Sequence, residues 1–257
     1  MDRAISAAEA AKRASALKAA EYVADGMKLG LGTGSTAAWL VKILGEKVGA
    51  GELSLTCVPT SSRTAEQAQK CGLTLATLEE VERLDLTIDG ADEFDADLNL
   101  IKGGGGALLQ EKIVATASDR MIVITDPSKR VRTLGAFPLP VEIVRFGWES
   151  TRAHIERALD RAEVGGRRIT MRRNHDERFV TDEGHYILDL HLRHIGDPHR
   201  LSAAMTRIPG VVETGLFLNI ADTIVIGHTT GEAEVVTGLT ADSGSDSGDD
   251  DLFDDLG

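Results

Sequence analysis

Short apolar segments alternate with helical segments along the first half of the chain, and this alternation restricts the fold more than any other feature. Short strands separated by helices are typical of a parallel sheet with helices on its faces. The sequence therefore predicts an α/β fold with right-handed crossovers between its parallel strands. The predicted strands are 27–31, 53–58, 73–78, 84–88 and 121–125, and the predicted helices between them are 36–48, 64–71 and 107–118.

The pattern changes after about residue 135. A helix, two strand-like segments and a second helix between 149 and 208 predict a smaller α+β domain inserted toward the C-terminus. Strands over 210–219 and 223–228 are expected to rejoin the main sheet. The predicted domains are a large one formed by 1–135 with 209–231, a small one formed by 136–208, and an acidic tail at 232–257 that we expect to be disordered.

The charge balance excludes one large class of function. The chain has 41 acidic and 28 basic residues, a formal net charge of −13, and residues 240–257 contain many Asp and no basic residue. Nucleic-acid binding needs a basic surface, so we expect no nucleic-acid partner. No apolar run approaches the ~18 residues of a membrane helix, and no signal peptide is evident, so we expect a cytoplasmic protein. Cys57 and Cys71 lack the spacing of a zinc site or a disulfide scaffold.

A glycine-rich segment connects the first predicted strand to the first helix after it. Its sequence is Gly30-Leu31-Gly32-Thr33-Gly34-Ser35-Thr36. Exposed backbone N–H groups and the positive end of a helix dipole would form a phosphate cradle here. The segment lacks the GK[ST] ending of a Walker A loop. It also lacks the third glycine and the acidic residue of a dinucleotide site. A tight turn with an ordinary helix cap is the alternative interpretation.

A cluster of acidic residues follows the fourth predicted strand, as Asp89-Gly90-Ala91-Asp92-Glu93. Ligands of open parallel sheets bind beyond the carboxyl ends of the strands. The spacing does not match an EF-hand calcium loop. Magnesium binding, recognition of sugar hydroxyls and acid–base chemistry all remain compatible with these carboxylates, as does a helix start capped by Asp92.

Two further segments place chemistry-bearing residues near the same edge. Lys102 precedes four consecutive glycines, which favour neither helix nor strand and suit a close approach of backbone to a ligand. Glu111 lies about one turn inside the helix that follows, where it can face back toward the glycines. Lys129 follows the fifth strand in Asp126-Pro127-Ser128-Lys129 and can reach a phosphate as a mobile charge. Taken singly, Glu111 and Lys129 are also compatible with solvated surface charges.

The chain resembles the A-type ribose-5-phosphate isomerase family through an ordered set of motifs. These are GLGTGSTA, PTSSRT, DGADEFD, KGGGGALLQEK, DPSK with LGAFPLPVE, and GVVETGLF, spread over roughly residues 10–230. The resemblance implies a Rossmann-like parallel sheet flanked by helices, with a smaller α+β domain. It also implies interconversion of ribose 5-phosphate and ribulose 5-phosphate in the non-oxidative pentose phosphate pathway. It further implies a phosphosugar as the ligand, no metal, no organic cofactor, no membrane partner, and a homodimer or homotetramer.

The resemblance also implies roles for individual residues. Glu111 matches the general base of the family, Asp89 is implicated in ring opening, and Lys102 completes the catalytic set. Lys12, in the first helix, is expected to approach the phosphate. The acidic tail is a departure from the family pattern. The implied substrate-binding residues are Thr33, Gly34, Ser35, Thr36, Asp89, Gly90, Ala91, Asp92, Lys102, Gly103, Gly104, Gly105 and Lys129.

Other functions on related folds remain as alternatives. A sugar-phosphate sensor of the transcription-regulator type would carry a basic DNA-binding domain of ~50 residues at its N-terminus, for which the chain has no room before Met27. An isomerase for a different phosphosugar would share the same phosphate and enediol machinery, so the sequence discriminates poorly against it. Acyl or CoA transfer would place its nucleophilic carboxylate in a different context.

Overall fold

The computed structural model describes residues 6–238 and contains an α/β fold, as the sequence predicts. Within this range, none of the helices combines the length and the apolar character needed to cross a membrane. The helices are α1 (Ala7–Ala20), α2 (Ser35–Gly49), α3 (Ser62–Lys70), α4 (Leu78–Val81), α5 (Leu108–Thr116), α6 (Trp148–Leu159) and α7 (Pro198–Met205), and Pro127–Lys129 form a 3₁₀ turn.

The strands are distributed over the whole described chain. In order, they are β1 (Lys28–Leu31), β2 (Thr56–Pro59), β3 (Thr74–Leu75), β4 (Leu86–Gly90), β5 (Glu93–Phe94), β6 (Leu100–Ile101), β7 (Met121–Thr125), β8 (Leu139–Ile143), β9 (Arg168–Met171), β10 (Arg173–Asn174), β11 (Glu177–Arg178), β12 (Tyr186–His191), β13 (Val211–Thr214), β14 (Leu216–Phe217), β15 (Thr223–Gly227) and β16 (Ala233–Thr237).

The main sheet has seven strands in the order β16-β15-β7-β4-β1-β2-β3. All of its pairings are parallel except that of β15 with β16. The carboxyl ends of β1, β4 and β7 therefore meet at one edge of the sheet. Both faces are covered, which explains why its central strands are apolar runs without polar alternation.

Alternate residues of β7 show how the two faces are packed. Ile122 and Ile124 join a core formed with helices α1 and α2. Met121 and Val123 point the other way, into a core that includes Phe94 and Phe217. Helix α1 also packs against β15, so the first described helix contacts one of the last strands.

The smaller unit is an antiparallel sheet in the order β13-β8-β12-β9. One face is apolar, and helices α6 and α7 cover it through residues such as Ile155 and Leu201. The other face carries polar side chains and lies toward α5, whose Lys112 donates to the Thr214 carbonyl (2.8 Å). A short antiparallel set, β14-β6-β5, lies beside the two larger sheets.

Two short segments form strands that differ from what the sequence predicts for them. Residues 211–214, expected in the large domain, form β13, which pairs with β8 of the small sheet. Residues 233–237, expected in the disordered tail, form β16 and complete the main sheet against β15. Strand β13 pairs with a segment about 70 residues earlier, so its own residues do not reveal which sheet it joins. Strand β16 forms a hairpin with β15, which ends only a few residues before it. The rest of the predicted tail, 239–257, lies outside the described residues.

Candidate active site

A cavity of about 250 Å³ opens at the carboxyl ends of β1, β4 and β7. All the predicted site residues except Asp89 line it, although they come from five separate segments of the chain. The predicted residues at its wall are Thr33, Gly34, Ser35, Thr36, Gly90, Ala91, Asp92, Lys102, Gly103, Gly104, Gly105, Glu111 and Lys129.

The glycine-rich turn after β1 forms one wall of the cavity. Gly32 lies so close to β4 that a Cβ atom there would be 2.1 Å from the Asp89 carboxylate and 2.5 Å from its Cα. Gly34 precedes α2 without a side chain to cap it, and the first intrahelical bond is donated by Ala38. The N–H groups of the first turn, from Ser35 onward, are therefore free to bind an anion at the positive end of the helix dipole.

The Thr33 hydroxyl is held by a cluster of buried hydroxyl groups. Its Oγ1 lies 2.8 Å from Thr60 Oγ1, 2.7 Å from Ser61 Oγ and 3.1 Å from Thr64 Oγ1. The Thr33 N–H donates to Asp89 Oδ1 at 3.1 Å. Thr33 thus lines the cavity while its polar groups hold the turn in place. The PTSSRT segment supports the site indirectly, because its hydroxyl groups hold the Thr33 side chain.

Three ionisable side chains, Lys102, Asp89 and Glu111, meet in the interior of the site. Lys102 Nζ lies 2.8 Å from Asp89 Oδ2 and 3.4 Å from Glu111 Oε1, and it donates to the Gly90 carbonyl at 2.6 Å. The three side chains are almost fully buried. Asp89 lies behind the cavity wall, whereas Glu111 and Lys102 reach the cavity. Glu111 Oε2 has no hydrogen-bond partner among residues 6–238.

Burial and mutual charge shift the pKa values of this triad. Burial, reinforced by the charge of Asp89, raises the pKa of Glu111 to about 8 despite the nearby Lys102 ammonium. Burial also raises the pKa of Asp89, against the opposing effect of Lys102. Burial disfavours the charged form of Lys102, but the charges of Asp89 and Glu111 outweigh it and raise its pKa. A carboxyl group with a pKa near neutrality suits general acid–base work.

Asp92 connects the acidic segment to the glycine segment. Its Oδ2 accepts a hydrogen bond from the Gly104 N–H at 2.7 Å, and its own N–H donates to the Ile101 carbonyl at 2.8 Å. A side chain at Gly104 would overlap with the Asp92 carboxylate. The four glycines predicted a close approach of the backbone to a ligand. In the structure, the backbone at Gly104 comes close to the Asp92 carboxylate.

Two basic side chains line the same cavity as the N-terminus of α2. Lys129, from the 3₁₀ turn after β7, and Lys12, from α1, both line it. Lys12 also contacts Glu9 at 2.7 Å, and Glu9 accepts from the Trp39 indole at 2.7 Å. The arrangement of two cations and a helix N-terminus is typical of a phosphate site.

Sequence reasoning assigned no role to several residues that support or line the site. The hydroxyls of Thr60, Ser61 and Thr64 fall in this group; their only sequence indication was the PTSSRT segment itself. Thr125 and Ser128 complete the lining near Lys129. Across residues 6–238, no three His, Cys, Asp or Glu side chains are grouped so that they could hold a metal ion.

A family model and curated relatives match the chain over most of its length. The model of "Ribose 5-phosphate isomerase A (phosphoriboisomerase A)" matches residues 56–231. The ribose-5-phosphate isomerase A of Ruegeria sp. (strain TM1040) is 59% identical over 231 residues, which cover 90% of this chain and 88% of that protein. The protein of the same name from Dinoroseobacter shibae is 60% identical over 225 residues, 88% of this chain and 86% of that protein.

Solved structures agree with the sequence comparison. The ribose 5-phosphate isomerase of Plasmodium falciparum superposes with a TM-score of 0.85 at 36% identity, over 90% of this chain and all of that one. A D-ribose-5-phosphate isomerase solved in complex with phospho-erythronic acid superposes with a TM-score of 0.81 at 35% identity, over 88% of this chain and 97% of that one. With the family model, the relatives and the fold in agreement, the chain belongs to the ribose-5-phosphate isomerase A family.

Proposed function

We propose that the cavity interconverts D-ribose 5-phosphate and D-ribulose 5-phosphate, with Glu111 as the base that moves the proton. The observation that carries the proposal is the Glu111 carboxylate, which is buried at the cavity wall with its Oε2 free of hydrogen bonds to residues 6–238. The activity named for the relatives, and the phosphorylated ligand named for one structural neighbour, support the same reaction.

The isomerisation needs one proton to leave C2 of the open aldose and one to arrive at C1. Both carbons belong to a planar cis-enediol intermediate, so a carboxylate placed on one face of it can reach both. Glu111 takes the C2 proton as a carboxylate and returns it to C1 as a carboxylic acid. The proton of the C2 hydroxyl moves to the oxygen at C1, so the C1 oxygen becomes a hydroxyl and a new carbonyl forms at C2. The raised pKa of Glu111, about 8, lets this carboxyl exchange protons near neutral pH.

The Lys102 ammonium stabilises the charge that develops on the oxygens at C1 and C2. It lies 3.4 Å from Glu111 Oε1, so a sugar in contact with the base is also in contact with the cation. Its position is held by Asp89 and by the Gly90 carbonyl, so little reorganisation is needed when the charge appears. Such preorganised stabilisation is usually the largest electrostatic contribution to catalysis.

The furanose form of the substrate has to open before isomerisation. In our proposal, Asp89 and Lys102 act together in this step. Because Asp89 is fully buried behind the wall, Lys102 contacts the sugar, and Asp89 holds it and balances its charge. Asp92, which lines the cavity and orients Gly104, binds sugar hydroxyls from the opposite side.

The phosphate binds at the N-terminus of α2 through Ser35 and Thr36 and to Lys129, all of which line the cavity. Fixing this end of the substrate places the reacting carbons against Glu111, and such positioning accounts for a large part of enzymatic rate enhancement. Lys12 contributes a second cation on the same side.

The experiment that tests the function measures ribulose 5-phosphate formation from ribose 5-phosphate by the purified protein with a chelator present. Turnover is expected, because the proposed proton transfer uses only side chains of the chain itself. Unphosphorylated ribose serves as the control substrate and should react far more slowly. Binding of ribose 5-phosphate without turnover would contradict the proposal and favour a sensor.

Replacing Lys129 by Ala is expected to raise KM about tenfold with little change in kcat. One charged phosphate contact contributes on the order of 1–2 kcal/mol, while Lys12 and the α2 N-terminus remain. Steady-state kinetics measure the effect. Lys42, which lies over the Trp39 ring away from the cavity, provides the matched Lys→Ala control. An unchanged KM for Lys129→Ala would remove Lys129 from the phosphate site.

A further inference from the structure

The polar face of the small sheet touches the glycine segment of the active site through Arg172. This residue directly follows β9, and its Nη1 donates to the carbonyl of Gly103 at 2.7 Å and to that of Gly104 at 3.3 Å. Its Nε donates to Asp189 Oδ2 at 3.0 Å, and its Nη2 donates to Asp189 Oδ1. One guanidinium thus joins a carboxylate of β12 to two consecutive peptide groups at the cavity wall.

The planarity of the peptide bond gives these contacts a consequence for the cavity. In a trans peptide, the C=O and the N–H of the following residue point in opposite directions. A donor on the Gly103 carbonyl therefore turns the Gly104 N–H the other way, which is toward Asp92 Oδ2, 2.7 Å away. A donor on the Gly104 carbonyl likewise turns the Gly105 N–H away from Arg172. Gly105 lines the cavity, and its N–H has no hydrogen-bond acceptor in residues 6–238.

The segment has no other side-chain anchor of its own, because all four residues after Lys102 are glycines. Within the segment, the Gly106 N–H donates to the Gly103 carbonyl at 3.0 Å. Glycine has the largest conformational freedom of any residue, so contacts from outside add to this turn in fixing the orientation of the peptides. Phe179 contributes by packing its ring on Gly106, and the Arg172 guanidinium lies 5.9 Å from the centre of that ring. The Arg172 and Asp189 side chains are only 13% and 17% exposed, which limits competition from water.

We propose that Arg172, held by Asp189, is a positioning residue that orients the peptide groups of Gly103–Gly105 for the isomerase reaction. It contacts no reacting atom itself. Its fork geometry is needed, because a single guanidinium reaches the carboxylate and both carbonyls at once. A Lys at this position supplies one charge without the fork. The expected effect on catalysis rests on the proposed function. The orienting effect on the Gly103–Gly105 peptides rests only on the observed contacts.

The test compares Arg172→Ala with Arg173→Ala. Arg173 is the next residue, is exposed, and donates to the Asp176 carbonyl of its own hairpin. We expect Arg172→Ala to lower kcat roughly 10- to 100-fold, as for displaced catalytic groups. KM should stay within about threefold, because phosphate contacts dominate binding. Amide hydrogen exchange, followed by mass spectrometry without substrate, should accelerate in a peptide spanning 103–106. Arg173→Ala should show neither effect.

Two conservative variants keep the test decisive even where Arg172→Ala fails to fold. Arg172→Lys and Asp189→Asn should both give intermediate losses of kcat and intermediate acceleration of exchange at 103–106. Full kcat in Arg172→Lys, or a loss of kcat with unchanged exchange at 103–106, would overturn the proposal. If the wild-type protein did not turn over ribose 5-phosphate, the proposed function would fail, while the exchange measurement would still decide whether Arg172 orients the segment.

Discussion

The Glu111→Gln variant is expected to lose roughly 10³-fold in kcat, since general acid–base catalysis typically contributes 10²–10⁴-fold. Gln has nearly the same shape as Glu, but its amide does not accept the C2 proton. KM should change little because the proposed phosphate contacts are made by other residues, Ser35, Thr36 and Lys129. The rate of ribulose 5-phosphate formation measures the loss.

Proton transfer by Glu111 can also be followed directly. Wild-type enzyme in D₂O should incorporate deuterium at C1 of the product, as detected by NMR, and Glu111→Gln should not do so above the background rate. Glu66→Gln, an exposed substitution on α3, is the matched control and should behave as wild type. Near-normal turnover of Glu111→Gln would exclude Glu111 as the base.

The pH dependence follows from the same carboxyl group. Only ionised Glu111 removes the proton, so kcat/KM should rise with pH through a pKa of about 8. A separate increase in kcat/KM is expected near pH 6, where the sugar phosphate loses its second proton. Between the ordinary pKa of 4.5 and about 8, the folded state binds more protons at this group than the unfolded state does. The contribution of Glu111 to the unfolding free energy therefore falls as pH rises across that interval, and Glu111→Gln should remove this dependence.

Replacing Gly32 by Ala is expected to destabilise the protein by roughly 3 kcal/mol or more, because overpacking against backbone leaves few ways to relax. The added Cβ would lie 2.1 Å from Asp89 Oδ1 and 2.5 Å from Asp89 Cα. To make room, β4 and the turn after β1 would have to separate, which displaces Asp89 from Lys102. We therefore also expect kcat/KM to fall at least about 100-fold. Urea denaturation and steady-state kinetics measure the two effects.

Gly49 provides the control for this substitution. It is the last residue of α2, and a Cβ there would have no neighbour within 4 Å. Gly49→Ala should therefore be neutral or stabilise the protein by up to about 1 kcal/mol through helix propensity. A Gly32→Ala variant as stable as Gly49→Ala would show that the turn tolerates a side chain, and the close packing of Gly32 on Asp89 would then not be essential.

Periodic segments with strong local patterns could be predicted from the sequence. The strand at 121–125 has its predicted bounds, and the helix containing Glu111 begins one residue after its predicted start. The cavity-lining residues were predictable because glycines, acids and a lysine follow strand ends, and parallel strands bring such ends together.

Features that depend on distant segments could not be predicted in this way. Arg172 is 69 residues from Gly103, and nothing in the local sequence distinguishes it from neighbouring Arg173. The full burial of Asp89 behind Lys102 depends on how closely the turn at Gly32 packs on β4. Pairing of β13 with β8 depends on the return of the chain after α7, about 70 residues after β8. In each case, the deciding contact joins segments that are distant in sequence.

The packing of α1 against β15 has a consequence for how the chain folds as it is synthesised. Helix α1 is made first, but its partner strand, Thr223–Gly227, leaves the ribosome only after nearly all the described chain has been translated. Until then, the apolar side of α1 and the β7 edge that later pairs with β15 lack their native covering. Native structure in the main sheet is therefore expected to be completed late, with α2 as the element made soon after α1 that packs on it in the interval.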